Sequence, residues 1–326
     1  MKPCFRVFLL AFMAISACAR ANFQNASSSA VPPGAEIRGV FGGMTPCGDP
    51  AKRLFQIPAK VECDQMIWNV VLYQDPQSGV PTTYSLKTSY GLSKQGTNDL
   101  FDGGTSVSLK GPWTITTGTK NDPDATVYQL EDPQRSISFL KVSDDLIHVL
   151  DGESAMLVGN GAWSYTLDRM GKESPAQSRG RPWWSPDPPT RPPAPPMPAG
   201  SSVFGVFEGR SPCHEVALKF TGTEPSDCLK IKWRLTLYQD STTGEPGRYL
   251  FMGTSDYRQG SWQIVKGMES DPQAILYQLQ PDGADQSFSF LNVDDNHLFL
   301  MDEERNLLVG NEFFSYTLSR TEPGTP

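Results

Sequence analysis

Six cysteines and three histidines are the side chains of this 326-residue chain best suited to nucleophilic, redox or metal chemistry. Four of the cysteines form two spaced pairs, Cys47 with Cys63 and Cys213 with Cys228, with fifteen and fourteen residues between the partners. A redox dithiol or a zinc site uses tighter spacing, typically C-x-x-C, which brings two thiolates to one ion with little loop to order. In an oxidising compartment the wider spacing predicts one structural disulfide per pair. The alternative is a thiolate site for copper or another soft ion, with Met44 or His214 as additional ligand. Asp144-Asp145, Asp294-Asp295, Asp151 and Asp302 supply oxygen ligands of the kind calcium takes. Their context, SDDLIHVLDGE and DDNHLFLMDEE, instead predicts a turn, an apolar strand and a second turn, with Asp capping backbone amides.

These residues sit in a chain written twice. LVGNGAWSYTLDR (157–169) returns as LVGNEFFSYTLSR (308–320), identical at nine of thirteen positions. IRGVFGGMTPC (37–47) is echoed by VFGVFEGRSPC (203–213), and Trp68…LYQD by Trp233…LYQD. Tyr84 answers Tyr249, GPWTI answers GSWQI, and DPDATVYQL answers DPQAILYQL. A unit this long is a whole domain, not a solenoid repeat. Met170 to Ser202, dense in proline, predicts a semi-rigid polyproline spacer. The organisation is therefore a domain over 37–169, a linker over 170–202, a domain over 203–320 and a short tail at 321–326. The first copy carries extra residues, Gly91 to Leu109, that read as a long loop.

Within each copy, short β-branched and aromatic runs are punctuated by Gly, Pro, Asn and Asp every eight to twelve residues. The fold class is all-β, with two tandem small antiparallel barrels. Trp113 and Trp262 face inward from turn-to-strand segments, and QDPQSGVP and QDSTTGEP make hairpin turns. SYTLDR and SYTLSR are the closing strands, with Tyr and Leu on one face and Ser, Thr and Arg on the other. Trp68, Trp113, Trp163, Trp233 and Trp262 supply bulk to fill a barrel interior, which otherwise has room for one small ligand. His148 and His297 lie in similar segments but do not occupy matching positions, their counterparts being Phe299 and Leu146. His214 answers Gly48. All three read as surface or rim histidines. With no G-x-S-x-G, H-E-x-x-H or P-loop, the sequence predicts no enzyme and no required cofactor.

The chain opens MKPCFRVFLLAFMAISACARA, a basic start followed by the nine apolar residues Val7 to Ile15, too short to span a bilayer and suited to a signal peptide over 1–17. Ile15-Ser16-Ala17-Cys18 resembles a lipobox, which would make Cys18 the acylated first residue, followed by a polar tether over 18–36. Ala19-Arg20-Ala21 is the competing cleavage site and would release a soluble periplasmic or secreted protein. Acidic residues outnumber basic ones, 36 to 28, and no basic run occurs, so nucleic-acid binding has no electrostatic basis.

The Gly-aromatic start running into Pro-Cys, the LYQD strand, the Gly-x-Trp strand and the DD…LD segment before the closing strand resemble the N-terminal domain of the NlpE-type envelope lipoproteins. The resemblance covers both copies. It implies a lipocalin-like barrel, a lipid anchor in the bacterial cell envelope, and a role in copper resistance or surface sensing. That family carries P-C-x-x-C after its first strand; here Pro46-Cys47 runs into Gly48-Asp49-Pro50, and Pro212-Cys213 into His214-Glu215-Val216. Copper binding therefore transfers less well than fold and location. The expected function is non-enzymatic binding or sensing of a small apolar ligand or an envelope protein. Soft-metal handling and a structural surface spacer are the alternatives.

Overall fold

A computed structural model describes residues 31–171, 193–213, 216, 230–252 and 257–321. Cys18, His214, Cys228, and most of the tether and linker lie outside the described residues. The chain forms two closed eight-stranded antiparallel barrels, each joined strand to neighbouring strand. The first comprises β1 (Glu36–Pro46), β2 (Gln65–Gln74), β3 (Pro81–Gly91), β4 (Thr105–Thr117), β5 (Thr126–Asp132), β6 (Arg135–Lys141), β7 (Leu146–Val149) and β8 (Thr166–Arg169). The second comprises β9 (Ser201–Pro212), β10 (Lys230–Asp240), β11 (Pro246–Met252), β12 (Tyr257–Met268), β13 (Asp271–Pro281), β14 (Phe288–Asp294), β15 (His297–Leu300) and β16 (Thr317–Thr321). The all-β tandem-barrel expectation holds.

Eight strands enclose a space that side chains can fill, and aromatic residues fill it here. Trp68, Tyr84, Trp113, Tyr128, Phe139 and Tyr165 pack inside the first barrel, and Trp233, Tyr249, Trp262, Tyr277, Phe290 and Tyr316 inside the second. A buried indole needs an acceptor for its N–H, and both copies solve this alike. Trp68 donates to Thr45 Oγ1 and Trp233 to Ser211 Oγ, each at 2.8 Å. Trp113 and Trp262 donate to the carbonyls of Tyr73 and Tyr238.

Closure falls to the last strand. In each barrel it pairs with the first through only a short ladder, Phe41↔Arg169 with Gly42↔Asp168, and Arg320↔Phe207 with its neighbours. The terminal arginine of each repeated phrase reinforces that seal. The Arg169 guanidinium lies 4.9 Å from the centre of the Phe41 ring and donates to the carbonyls of Arg38 and Asp144. Arg320 sits 4.8 Å from the Phe207 ring and donates to Phe204 and Asp295. Cation–π stacking plus a planar fork suits Arg and not Lys. Arg169 thus shares the inward side with Tyr165 and Leu167, and not the outer side of Ser164 and Thr166 as expected. Glycine at 43 and 209 admits the closing strand: a Cβ there would come within 3.0 Å of the Thr166 carbonyl and 2.8 Å of the Thr317 carbonyl.

Cys47 and Cys63 are disulfide-bonded with Cα atoms 5.5 Å apart, a separation suited to the bridge. Between them lies the helix α1 (Asp49–Phe55), started by Pro50 and stopped by Gln56 in a left-handed conformation. Its Phe55 packs edge-on against Trp68 at 5.0 Å, so the helix plugs one end of the barrel. The extra residues of the first copy form a shorter loop than expected, 92–104. Thr105 to Leu109 join β4 because Val107 and Leu109 alternate with serines opposite β3 and reach the core.

Replacing Cys63 with serine is expected to lower stability by about 3 kcal/mol, the chain-entropy value for a loop of this length. Urea unfolding checks it; a loss below about 1 kcal/mol would mean that α1 holds its place by packing alone.

Candidate functional site

The thiol chemistry open to the sequence is largely consumed. Cys47 and Cys63 are joined to each other, and Cys213 is also disulfide-bonded, to a partner outside the described residues. Met44 is buried. The acidic clusters act as turn caps: Asp151 accepts the amides of Glu153 and Ala155, Asp302 that of Asn306, and Asp294 that of Asn296. Among the described residues, no group of three His, Cys, Asp or Glu side chains is placed to hold a metal ion.

The unusual feature lies on the outside of the barrels. A barrel strand normally buries alternate residues. Here all four residues of β7 and of β15 are buried, as are the first three of β8 and of β16. Their outer faces are covered because each barrel covers the other. Residues 151 apart occupy matching positions, and across this seam matching positions meet. Ser164 Oγ is 2.7 Å from Ser315 Oγ, and Thr317 Oγ1 donates to Thr166 Oγ1 at 2.9 Å. The Gly159 amide donates to Ser319 Oγ, and reciprocally the Gly310 amide donates to Asp168 Oδ1 at 2.5 Å. Val142 and Val293, another matched pair, border one small apolar cluster with Val127, Leu140 and Leu150. This reciprocity is the mark of a two-fold, isologous contact, made here within one chain.

Two histidines sit in its centre. His148 and His297 are fully buried, with ring centres 4.7 Å apart. The reading of both as surface or rim residues is therefore corrected. Both Nε2 atoms approach one acceptor, the Leu157 carbonyl, at 2.9 and 3.1 Å. A carbonyl only accepts, so Nε2 of His148 carries its proton. The imidazole is neutral, since burial and then the nearby His297 hold its pKa down at about 3. Its Nδ1 must then accept from the Thr166 hydroxyl at 2.9 Å, which itself accepts from Thr317. The chain Thr317–Thr166–His148–Leu157 is thereby fixed in direction. His297 places its other nitrogen 2.7 Å from Asp294 Oδ1. Burial alone would raise the Asp294 carboxyl, but the His297 hydrogen bond and charge and the Asn296 amide outweigh it and leave it below its ordinary value.

Asp168 is a further buried ionisable group of the seam. Oδ1 receives the Gly310 amide, while Oδ2 has no hydrogen-bond partner. Burial pushes its carboxyl well above the ordinary range, opposed only by that amide.

Trp163, expected among the barrel-filling residues, instead lies at this junction, half-buried, beneath the Arg210 guanidinium of the other barrel at 5.5 Å. Beside the seam, Lys120, Asp122, Met156 and Val293 help to line an open cleft of about 70 Å³. Small-molecule sites typically hold roughly 300–1,000 Å³, so this cleft suits a few waters. The arrangement offers hydrogen bonding, burial and titratable groups enclosed between the barrels. Sequence reasoning missed it by looking for one ligand at the same position in both copies. Non-equivalent positions on paired two-fold strands were the available signal. Comparison of the chain with protein-family models, curated proteins and solved structures found no match.

Thr166→Val strands the His148 Nδ1 and the Thr317 hydroxyl inside the seam and is expected to cost about 1–3 kcal/mol. Denaturant unfolding checks it; a neutral result would show that water reaches these groups.

Proposed function

We propose that the chain is a non-enzymatic, NlpE-like lipoprotein of the bacterial cell envelope, anchored through Cys18, whose two docked barrels act as one body that binds or senses an envelope protein. The observation that carries this reading is the filled interior of both barrels. With Trp68, Trp113 and Phe139 in one and Trp233, Trp262 and Phe290 in the other, the lumen is occupied by the protein's own side chains. Recognition is left to the outer surface. Ile115 and Ile264 hold matching positions on β4 and β12 and stay 48% and 49% exposed, an apolar feature repeated in both copies. The Cys47–Cys63 disulfide fits an oxidising compartment. It also removes two of the four thiolates on which soft-metal handling would rest. Barrels packed side by side add little reach, which weighs against a pure spacer.

Intact mass of protein extracted from its own membrane, alkylated without reduction, tests the reading. The expected result is an acyl group on a chain beginning at Cys18 and no alkylated cysteine. A chain beginning at Asn22 would contradict the anchor, and two or four labelled thiols would return the soft-metal alternative. On the same sample, saturable binding of a fluorescent fatty acid at one site per barrel would replace protein recognition with ligand carriage.

A further inference from the structure

We propose that the seam between the barrels is a proton-linked latch: docking keeps the proton on Asp168 and off His148, and undocking reverses both. The geometry carries this. His148 is enclosed with its acceptor nitrogen filled by the Thr166 hydroxyl and a second imidazole 4.7 Å away. Asp168 is enclosed with a single N–H donor and one oxygen without a partner, a setting that favours the neutral acid. Both groups lie on the outer faces of β7 and β8, where the second barrel covers them; at His148 it does so beside the first barrel's own Leu157 carbonyl. Separation would return each to water.

The groups facing them come from both barrels. His148 faces His297 on β15 and Asp294 at the end of β14, together with Phe299, and its neighbour on β6 is Leu140. Asp168 stands two residues along β8 from Thr166, opposite Leu146 on β7 and Gly42 on β1, and meets Gly310 of the second barrel. The second copy carries Phe299 and Ser319 where the first has His148 and Asp168, so the chain itself supplies a non-titrating residue for each position.

The two ionisations act in opposite directions. His148 is held low when docked, so docking strength is lost as pH falls below the ordinary imidazole value of 6.5. Asp168 is held high when docked, so docking strength is lost as pH rises above the ordinary carboxylate value of 3.8, until the docked carboxyl ionises. Between those values opening takes up one proton at His148 and releases one at Asp168. The net uptake is near zero, and the seam is buffered against acidification.

Amide hydrogen exchange of Gly159 and Gly310 in the full chain reads this directly, since both amides are donated across the seam. In the unaltered protein their protection factors should stay nearly constant between about pH 4.5 and 6. In Asp168→Ser the His148 ionisation is unmasked, and protection should fall about 30-fold from pH 7.5 to 5. In His148→Phe the Asp168 ionisation is unmasked, and protection should rise, by up to about 25-fold, from pH 6 to 4.5. The Leu130 amide, inside the first barrel's ladder, reports on folding. Should Asp168→Ser lower Leu130 protection as well, Asp168→Asn keeps the shape without the charge and must give the same 30-fold fall. A flat profile in either Asp168 variant, or a His148→Phe profile matching the unaltered protein, overturns the proposal.

Discussion

The structure rests on the double burial of four short strands. β7, β8, β15 and β16 each turn one face into a barrel and the other against the neighbouring barrel. Their inner residues, among them Ile147, Leu167, Leu298 and Leu318, belong to two packed cores. Their outer residues cannot be equally apolar, because a two-fold contact brings each near-axial residue against its own counterpart. Small hydroxyls solve this, since each can donate and accept: Ser164 pairs with Ser315, and Thr317 donates to Thr166, without water. That is a physical reason for the near-identity of the two closing phrases. The same SYTL must close a barrel and meet itself.

Departures from that symmetry are confined to a few positions, and they carry the titratable groups. Histidine stands at 148 against Phe299 and at 297 against Leu146, and aspartate at 168 against Ser319. Gly161 lies under Glu208, where a Cβ would come within 3.1 Å of the carboxylate. The matching position in the second copy is Glu312. Pairing two second barrels would thus set carboxylate against carboxylate, which penalises a wrong partner. The seam is two-fold in backbone and hydroxyls but directional in charge, so the second barrel suits the first better than it suits another copy of itself.

Much of this was legible in the sequence, for identifiable reasons. Strand periodicity, turn residues and the repeat yielded two all-β barrels, because each copy writes the same in-out alternation. The Cys47–Cys63 bridge followed from spacing and an expected oxidising compartment. The seam did not, because SYTL shows the same alternation whether Ser and Thr face water or another barrel. The histidines were misplaced for the same reason: sequence alignment matches 148 with 299, whereas the dyad brings 148 to 297. Arg169 was grouped with Ser and Thr, whereas strict alternation puts it with Tyr165 and Leu167, and its guanidinium stacks on Phe41 at the barrel end. Thr105 to Leu109 were absorbed into a loop by the glycines preceding them.

Docking of the two barrels through this face is the claim on which the rest turns, and Ser164→Cys/Ser315→Cys tests it most directly. The two hydroxyl oxygens lie 2.7 Å apart, so thiols at these positions should oxidise to a cross-link in the folded full-length protein. Intact mass after alkylation without reduction should then show neither new thiol labelled, and the two barrels should stay joined after the linker is cut by protease. Two freely labelled thiols, with the barrels separating on cleavage, would contradict the account.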